Sequence, residues 1–163
     1  MPDQWVVNAS PLIVLGKIGQ LALLSKIPQQ IVVPAAVVTE VMAGPATDTA
    51  RLAMQANMFS TVAAVKISPE LAAWDLGAGE TSVLAYAMAN PGWVAIIDDG
   101  AARKCAMTFG IPMKGTLAVI ILAKKRGLIP SAAKALRAVQ EAGLRLDERV
   151  VKEALRISVG EDW

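Results

Sequence analysis

The 163-residue chain contains no histidine and a single cysteine. Without an imidazole, the Ser-His-Asp triad, Cys-His proteases, histidine general bases and the usual zinc sites are excluded. Chemistry falls to carboxylates, lysines and hydroxyls. The lone thiol, Cys105, cannot close an internal disulfide, so nothing suggests a secreted disulfide scaffold, and a buried helical position is expected for it. Long uncharged runs are scarce as well. The longest, residues 81–97, is broken by Asn90-Pro91-Gly92 and reads as helix, turn and strand rather than as a membrane span. The start, Met1-Pro2-Asp3, lacks the basic region of an export signal, and a cytoplasmic protein is the expectation.

What is present is apolar. Hydrophobic residues make up 55% of the chain and charged residues 18%, with a mean hydropathy of +0.48. That is too apolar for disorder, and the length suits one domain, residues 1–163, that folds by packing alone. A formal charge of +2 hides a division. Before Asp99 there are four basic residues (Lys17, Lys26, Arg51, Lys66) against seven acids; from Asp99 onward there are twelve basic residues and seven acids. The densest basic cluster is Lys124-Lys125-Arg126, with Lys114, Lys134, Arg137 and Arg145 close in sequence. Such a surface attracts a polyanion, although solvated faces of amphipathic helices have the same composition.

Short apolar strands alternate with helical segments. Strands are expected at residues 5–8, 30–33, 61–67, 93–97 and 111–113. Helices are expected from Ser10-Pro11 to a break at Gly19, from Pro34 to Gly44-Pro45, and over residues 48–58, 80–90, 100–109, 116–125, 131–142 and 148–157, with a loop around Ser68-Pro69. This alternation implies crossover connections and a three-layer α/β/α sandwich with a mainly parallel central sheet.

In such folds ligands bind beyond the carboxyl ends of the strands. Asn8 ends Trp5-Val6-Val7, and Asp98-Asp99 end Trp93-Val94-Ala95-Ile96-Ile97. Two further acids, Glu40 and Glu80, stand in otherwise apolar helical contexts. Carboxylates gathered at the rim of a low-dielectric sheet repel one another unless a cation compensates them. Mg²⁺ or Mn²⁺ takes oxygen ligands, keeps waters, and supports phosphodiester hydrolysis without histidine. Each residue also has an ordinary use: Glu80 complements a helix dipole, Asp98-Asp99-Gly100 forms a turn and cap, Glu40 lies on a solvent face, and Asn8 caps a turn. Their joint occurrence favours function.

These residues carry a resemblance to the PIN-domain superfamily over nearly the whole chain. It rests on Val6-Val7-Asn8-Ala9-Ser10-Pro11-Leu12-Ile13, the Val33-Pro34 step followed by Glu40, Gly79-Glu80 opening an Ala-rich helix, and Ile96-Ile97-Asp98-Asp99. Gly115-Thr116-Leu117 and Lys124-Lys125-Arg126-Gly127-Leu128-Ile129-Pro130 are similar too. The resemblance implies a ribonuclease that holds Mg²⁺ or Mn²⁺, often the toxin of a toxin–antitoxin pair and commonly a homodimer. By motif position, Asn8, Glu40, Glu80 and Asp99 match the metal ligands, with Asp98 a near neighbour. Glu40, Glu80, Asp98 and Asp99 are the catalytic candidates, and Lys114, Thr116, Lys124, Lys125 and Arg126 the candidates for RNA contact.

Asn8 departs from the acidic residue usual at its position, and an amide brings a carbonyl oxygen without charge. A weakened enzyme, or a module that only binds nucleic acid or a partner, therefore stays beside the nuclease. A phosphoacceptor receiver fits less well, since the acidic pair falls late in the chain. Gly77-Ala78-Gly79 completes no dinucleotide fingerprint.

Overall fold

A computed structural model describes residues 3–163; Met1 and Pro2, part of the start read above for an export signal, lie outside the described residues. The first half of the chain forms β1 (Gln4–Val7), α1 (Ala9–Lys17), α2 (Leu23–Lys26), β2 (Gln30–Pro34), α3 (Ala35–Met42), α4 (Thr49–Gln55) and β3 (Ser60–Val62). There follow α5 (Pro69–Ala72), α6 (Ala78–Ala89), β4 (Val94–Ile96), α7 (Gly100–Thr108), β5 (Met113–Lys114), α8 (Thr116–Lys125), α9 (Ala132–Glu141) and α10 (Glu148–Val159). The five strands form one parallel sheet in the order β3-β2-β1-β4-β5.

The chain thus moves outward from β1 to β3, then returns through α6 to place β4 on the other side of β1. Strand order reverses between β1 and β4, the position at which a parallel sheet opens a crevice at its carboxyl edge. Asn8 and Asp98 leave the sheet there. Parallel strands covered on both faces carry continuous apolar runs. Trp5, Val6 and Val7, and opposite them Val94, Ala95 and Ile96, are accordingly buried. Cys105 is free and buried in α7, as expected, and burial raises its thiol pKa. Among the described residues no helix is long and apolar enough to cross a membrane.

Three elements differ from the sequence expectation. The strand expected over residues 61–67 stops at Val62, because its partner β2 ends in Pro34 and then enters α3, leaving residues 63–67 no backbone to pair with. The last strand falls at Met113–Lys114 instead of residues 111–113, since the Ile111 N–H donates to Ala106 at the end of α7 (2.8 Å) and Pro112 has no N–H. The expected loop at Ser68-Pro69 opens the short α5: the Ser68 hydroxyl accepts from Leu71 N (3.2 Å), and Leu71 is buried.

Behind α10 the chain is clamped to α9. Glu161 accepts from Ser131 Oγ (2.9 Å), Ala132 N (2.9 Å) and Ala133 N (3.0 Å) at the start of α9. Burial works to raise this carboxyl, but the hydrogen bonds and nearby Lys124 outweigh it and the value is lowered. A lowered carboxylate stabilises the fold above its unfolded value and loses that contribution as pH falls through the folded one. Glu161→Gln is therefore expected to cost about 1–2 kcal/mol at neutral pH and much less in acid. Urea unfolding of both proteins across acidic pH measures it, and a constant difference would contradict the clamp.

Candidate active site

Asn8 stands at the residue before α1, where an Asn side chain ordinarily caps the helix. Here it makes no capping hydrogen bond. The residue is 3% exposed, and its Oδ1 is buried without a donor among the described residues. Leaving a carbonyl so costs about 1–3 kcal/mol, a penalty that a cation would remove. The backbone explains the placement: Asn8 N donates to Ile96 O (3.1 Å), extending the β1–β4 ladder by one bond and drawing the residue to the strand-end crevice.

Glu40 reaches the same place from α3. Val37 and Val41 bury one stripe of that helix, and Glu40 lies exposed at its margin, only partly withdrawn from water. The opening turn of α6 closes the floor. A Cβ on Gly79 would lie 2.8 Å from Glu40 Oε2 and 3.0 Å from Asn8 Oδ1, so both oxygens face the small volume that this glycine leaves open. Glu80 follows at the third residue of α6, its Oε2 folded back over Gly77, where a Cβ would meet it at 2.6 Å. The positive end of the helix dipole favours that carboxylate. Withdrawal from water, and after it the charge of Glu80, raises the Glu40 carboxyl above its usual value.

The acidic doublet divides. Asp98 accepts from Thr116 N at Oδ1 (2.7 Å), and from Thr116 Oγ1 (2.7 Å) and Ser10 Oγ (3.2 Å) at Oδ2. Asp99, the member favoured by motif position, caps α7 by accepting from Ala102 N (3.0 Å). Asp98 is thus the carboxylate that meets α1 two residues from Asn8. Helix α1 starts at Ala9, ahead of the expected Ser10-Pro11 step, which places Ser10 in its first turn and turns the hydroxyl to Asp98.

The basic candidates separate likewise. Thr116 is 0% exposed, so its hydroxyl holds Asp98 and has no surface to offer RNA. Lys114 ends β5, and its Nζ turns to Asp3 Oδ2, ahead of β1, at 4.0 Å. Lys124 donates to Pro130 O (2.7 Å) and stands 3.9 Å from Glu161, while Arg126 donates to Ile27 O (2.8 Å). Lys125 instead lines a cleft that reaches Asp98. Sequence reasoning did not single out Ser10 as a partner of Asp98, Gly79 as the floor, or Arg103, whose Nη1 donates to Ile97 O (3.2 Å) beside Asp98. For Gly79 alone there was a signal, the unexplained Gly77-Ala78-Gly79 run.

Among the described residues no three acids stand close enough to form a metal site on their own. The oxygens that meet at Gly79 are one carboxylate and one amide carbonyl, and the amide brings no charge. The oxygen-only set that remains, a buried carbonyl beside Glu40 with Glu80 adjoining, suits a hard divalent ion that retains waters.

A raised carboxyl adds stability when protonated, a contribution lost as pH rises through the folded value. Glu80→Gln is expected to lower the Glu40 midpoint in metal-free protein without returning it to its ordinary value, because desolvation, the larger cause, stays. Carboxyl NMR titration reads this, and an unchanged midpoint would show that the two side chains do not share one field.

No curated protein matches the chain. A family model described as the PIN domain matches residues 4–161. PIN domains have a nuclease-like fold, generally depend on divalent metal, and bind nucleic acid. The match begins at the first residue of β1 and ends beyond α10, and the parallel α/β sandwich agrees with it throughout: the chain belongs to the PIN domain family.

Proposed function

We propose that the chain is a Mg²⁺- or Mn²⁺-dependent endoribonuclease whose metal ligands are Asn8, Glu40 and Glu80, with Asp98 the fourth oxygen donor. The observation that carries this reading is the buried Asn8 carbonyl, without a donor and beside Glu40 across Gly79. When bound, the metal offsets carboxylate repulsion, polarises a phosphate oxygen and lowers the pKa of a coordinated water. The protein's share is orientation. Ser10 and Thr116 fix the Asp98 carboxylate, the start of α6 holds Glu80 over Gly77, and the Val37–Val41 stripe sets the reach of Glu40. Lys125 is the member of the basic cluster best placed to bind the RNA backbone.

The same reading extends, through the family, to the toxin half of a toxin–antitoxin pair, a cytoplasmic homodimer restrained by a small antitoxin protein. A second reading is favoured by Asn8 itself: with one charge fewer, the domain binds RNA but turns over slowly or not at all.

RNA cleavage in Mg²⁺ or Mn²⁺ is expected to fall more than about 100-fold in Glu40→Gln and in Asp98→Asn. Asp99→Asn, which keeps a good helix cap, is expected to cleave nearly as wild type. Activity unchanged in the first two, with folding checked by circular dichroism, would reject the nuclease. Cleavage lost in Asp99→Asn alone would move the fourth ligand to that residue.

Metal binding is testable without turnover. Gly79→Ala places a methyl between Asn8 and Glu40 and is expected to weaken Mn²⁺ binding, whereas Asn8→Asp restores a charge and tightens it. Isothermal titration with Mn²⁺ measures both, and equal affinities across wild type and both variants would place the ion elsewhere.

A further inference from the structure

Beside Asp98 the surface opens into a cleft of about 430 Å³ between α8, α10 and the turn that joins α9 to α10. Gly143, at φ 110°, makes that turn possible and lays Leu144 to Leu146 over α8. Leu117, Ile121, Leu122, Leu144 and Leu146 supply an apolar lining, and Arg103, Lys125 and Arg145 supply three cations. The two carboxylates in the lining are already engaged. Asp98 is held by Ser10 and Thr116, and Asp147 caps α10 by accepting from Val150 N (3.2 Å). Among the described residues the ion pairs involve Lys114, Lys124 and Lys152; Lys125 and Arg145 form none, and Arg103 stands beside Asp98 with Nη1 donating to Ile97 O (3.2 Å).

An apolar slot bordered by cations that form no ion pair fits a ligand that has one flat apolar part and one anionic part. Size selects among such ligands. The volume lies within the range of single small-molecule sites, roughly 300–1,000 Å³. Two turns of a peptide helix, about 10 Å across and 11 Å long, need roughly 850 Å³. Position selects further, because Asp98 belongs both to this cleft and to the proposed metal cluster, making the cleft the next stop for a chain threaded through that cluster.

We infer that the cleft is a nucleotide subsite, which takes the base of a single-stranded RNA residue flanking the scissile phosphate against Leu117, Ile121, Leu122, Leu144 and Leu146, and its phosphate on Arg103, Lys125 and Arg145. This rests on the ribonuclease reading for its substrate but uses residues outside the metal cluster. It assigns substrate selection to α8 and the α9–α10 turn.

The test measures binding in EDTA, where no turnover occurs, using a short single-stranded RNA carrying the fluorescent base 2-aminopurine. Arg145→Gln changes an exposed side chain; it is expected to weaken binding about fivefold and to reduce the slope of log K against log salt by about one. Ala118→Phe fills the slot and is expected to abolish the change in 2-aminopurine fluorescence while leaving thermal unfolding near wild type. RNA binding unchanged in both cleft variants overturns the subsite, even if the protein cleaves RNA. Cleft-dependent binding without metal-dependent cleavage supports the subsite and removes the ribonuclease reading. Should a synthetic Leu-Glu-Glu-Leu repeat peptide lose binding in the cleft variants while RNA does not, the cleft belongs to a protein partner and the nucleotide assignment is overturned.

Discussion

The arrangement depends on one uncompensated dipole. Asn8 is carried into the interior by the β1–β4 ladder, at the place where the order of the sheet reverses, and its side-chain carbonyl arrives there without a donor among the described residues. An amide in that position has a cheap alternative, since the first turn of α1 offers free N–H groups to a capping side chain. The oxygen is turned away from them, toward Glu40 and the open face of Gly79. Each neighbour sharpens the same conflict. Gly79 has no side chain to fill the space, and Glu40 and Glu80 add negative charge where a positive one is missing.

Around this point the protein distinguishes oxygens that it satisfies from oxygens that it leaves open. Asp98 receives three donors and Asp99 one, so neither is a bare charge. Thr116 is central to that arrangement: it contributes both its N–H and its hydroxyl to a single carboxylate while fully buried at the start of α8. A charge-assisted pair of this kind fixes where β4 ends relative to α8. The same residue therefore fixes Asp98, the carboxylate that also lines the neighbouring cleft.

Much of this was legible from the sequence because the strands are apolar on both faces. Runs such as Trp5-Val6-Val7 and Trp93-Val94-Ala95-Ile96-Ile97 admit few placements other than the centre of a covered parallel sheet, and the polar residues that end them then mark its carboxyl edge. The doublet was harder, because Asp98 and Asp99 differ only in which way the chain turns after Ile97, and that turn is decided by Thr116, eighteen residues along the chain. Residues 63–67 mislead for a related reason: their β-branched and small residues suit a strand, but strand formation requires a partner, and β2 has already ended in proline. Sequence reports what a segment prefers; the neighbour decides whether the preference is used.

The basic cluster shows where charge counting stops being informative. Lys124, Lys125 and Arg126 are adjacent in sequence, yet successive residues of a helix point about 100° apart, and α8 ends among them. Lys124 turns to the start of α9 and Arg126 to the end of α2, each bonding a backbone carbonyl, and both help close the fold. Only Lys125 faces the cleft, where Arg103 and Arg145 join it from α7 and from the turn before α10. On the proposed reading a polyanion meets cations drawn from three separate segments, gathered beside Asp98 instead of spread along one helix. That placement matters physically, because free carboxylates repel a phosphate backbone and cations more than a Debye length away, about 8 Å at physiological salt, do little to offset it. Arg103 Nη1 and Asp98 Oδ1 both approach Gly115, so at least this cation acts within that distance and the attraction reaches the place where the repulsion is.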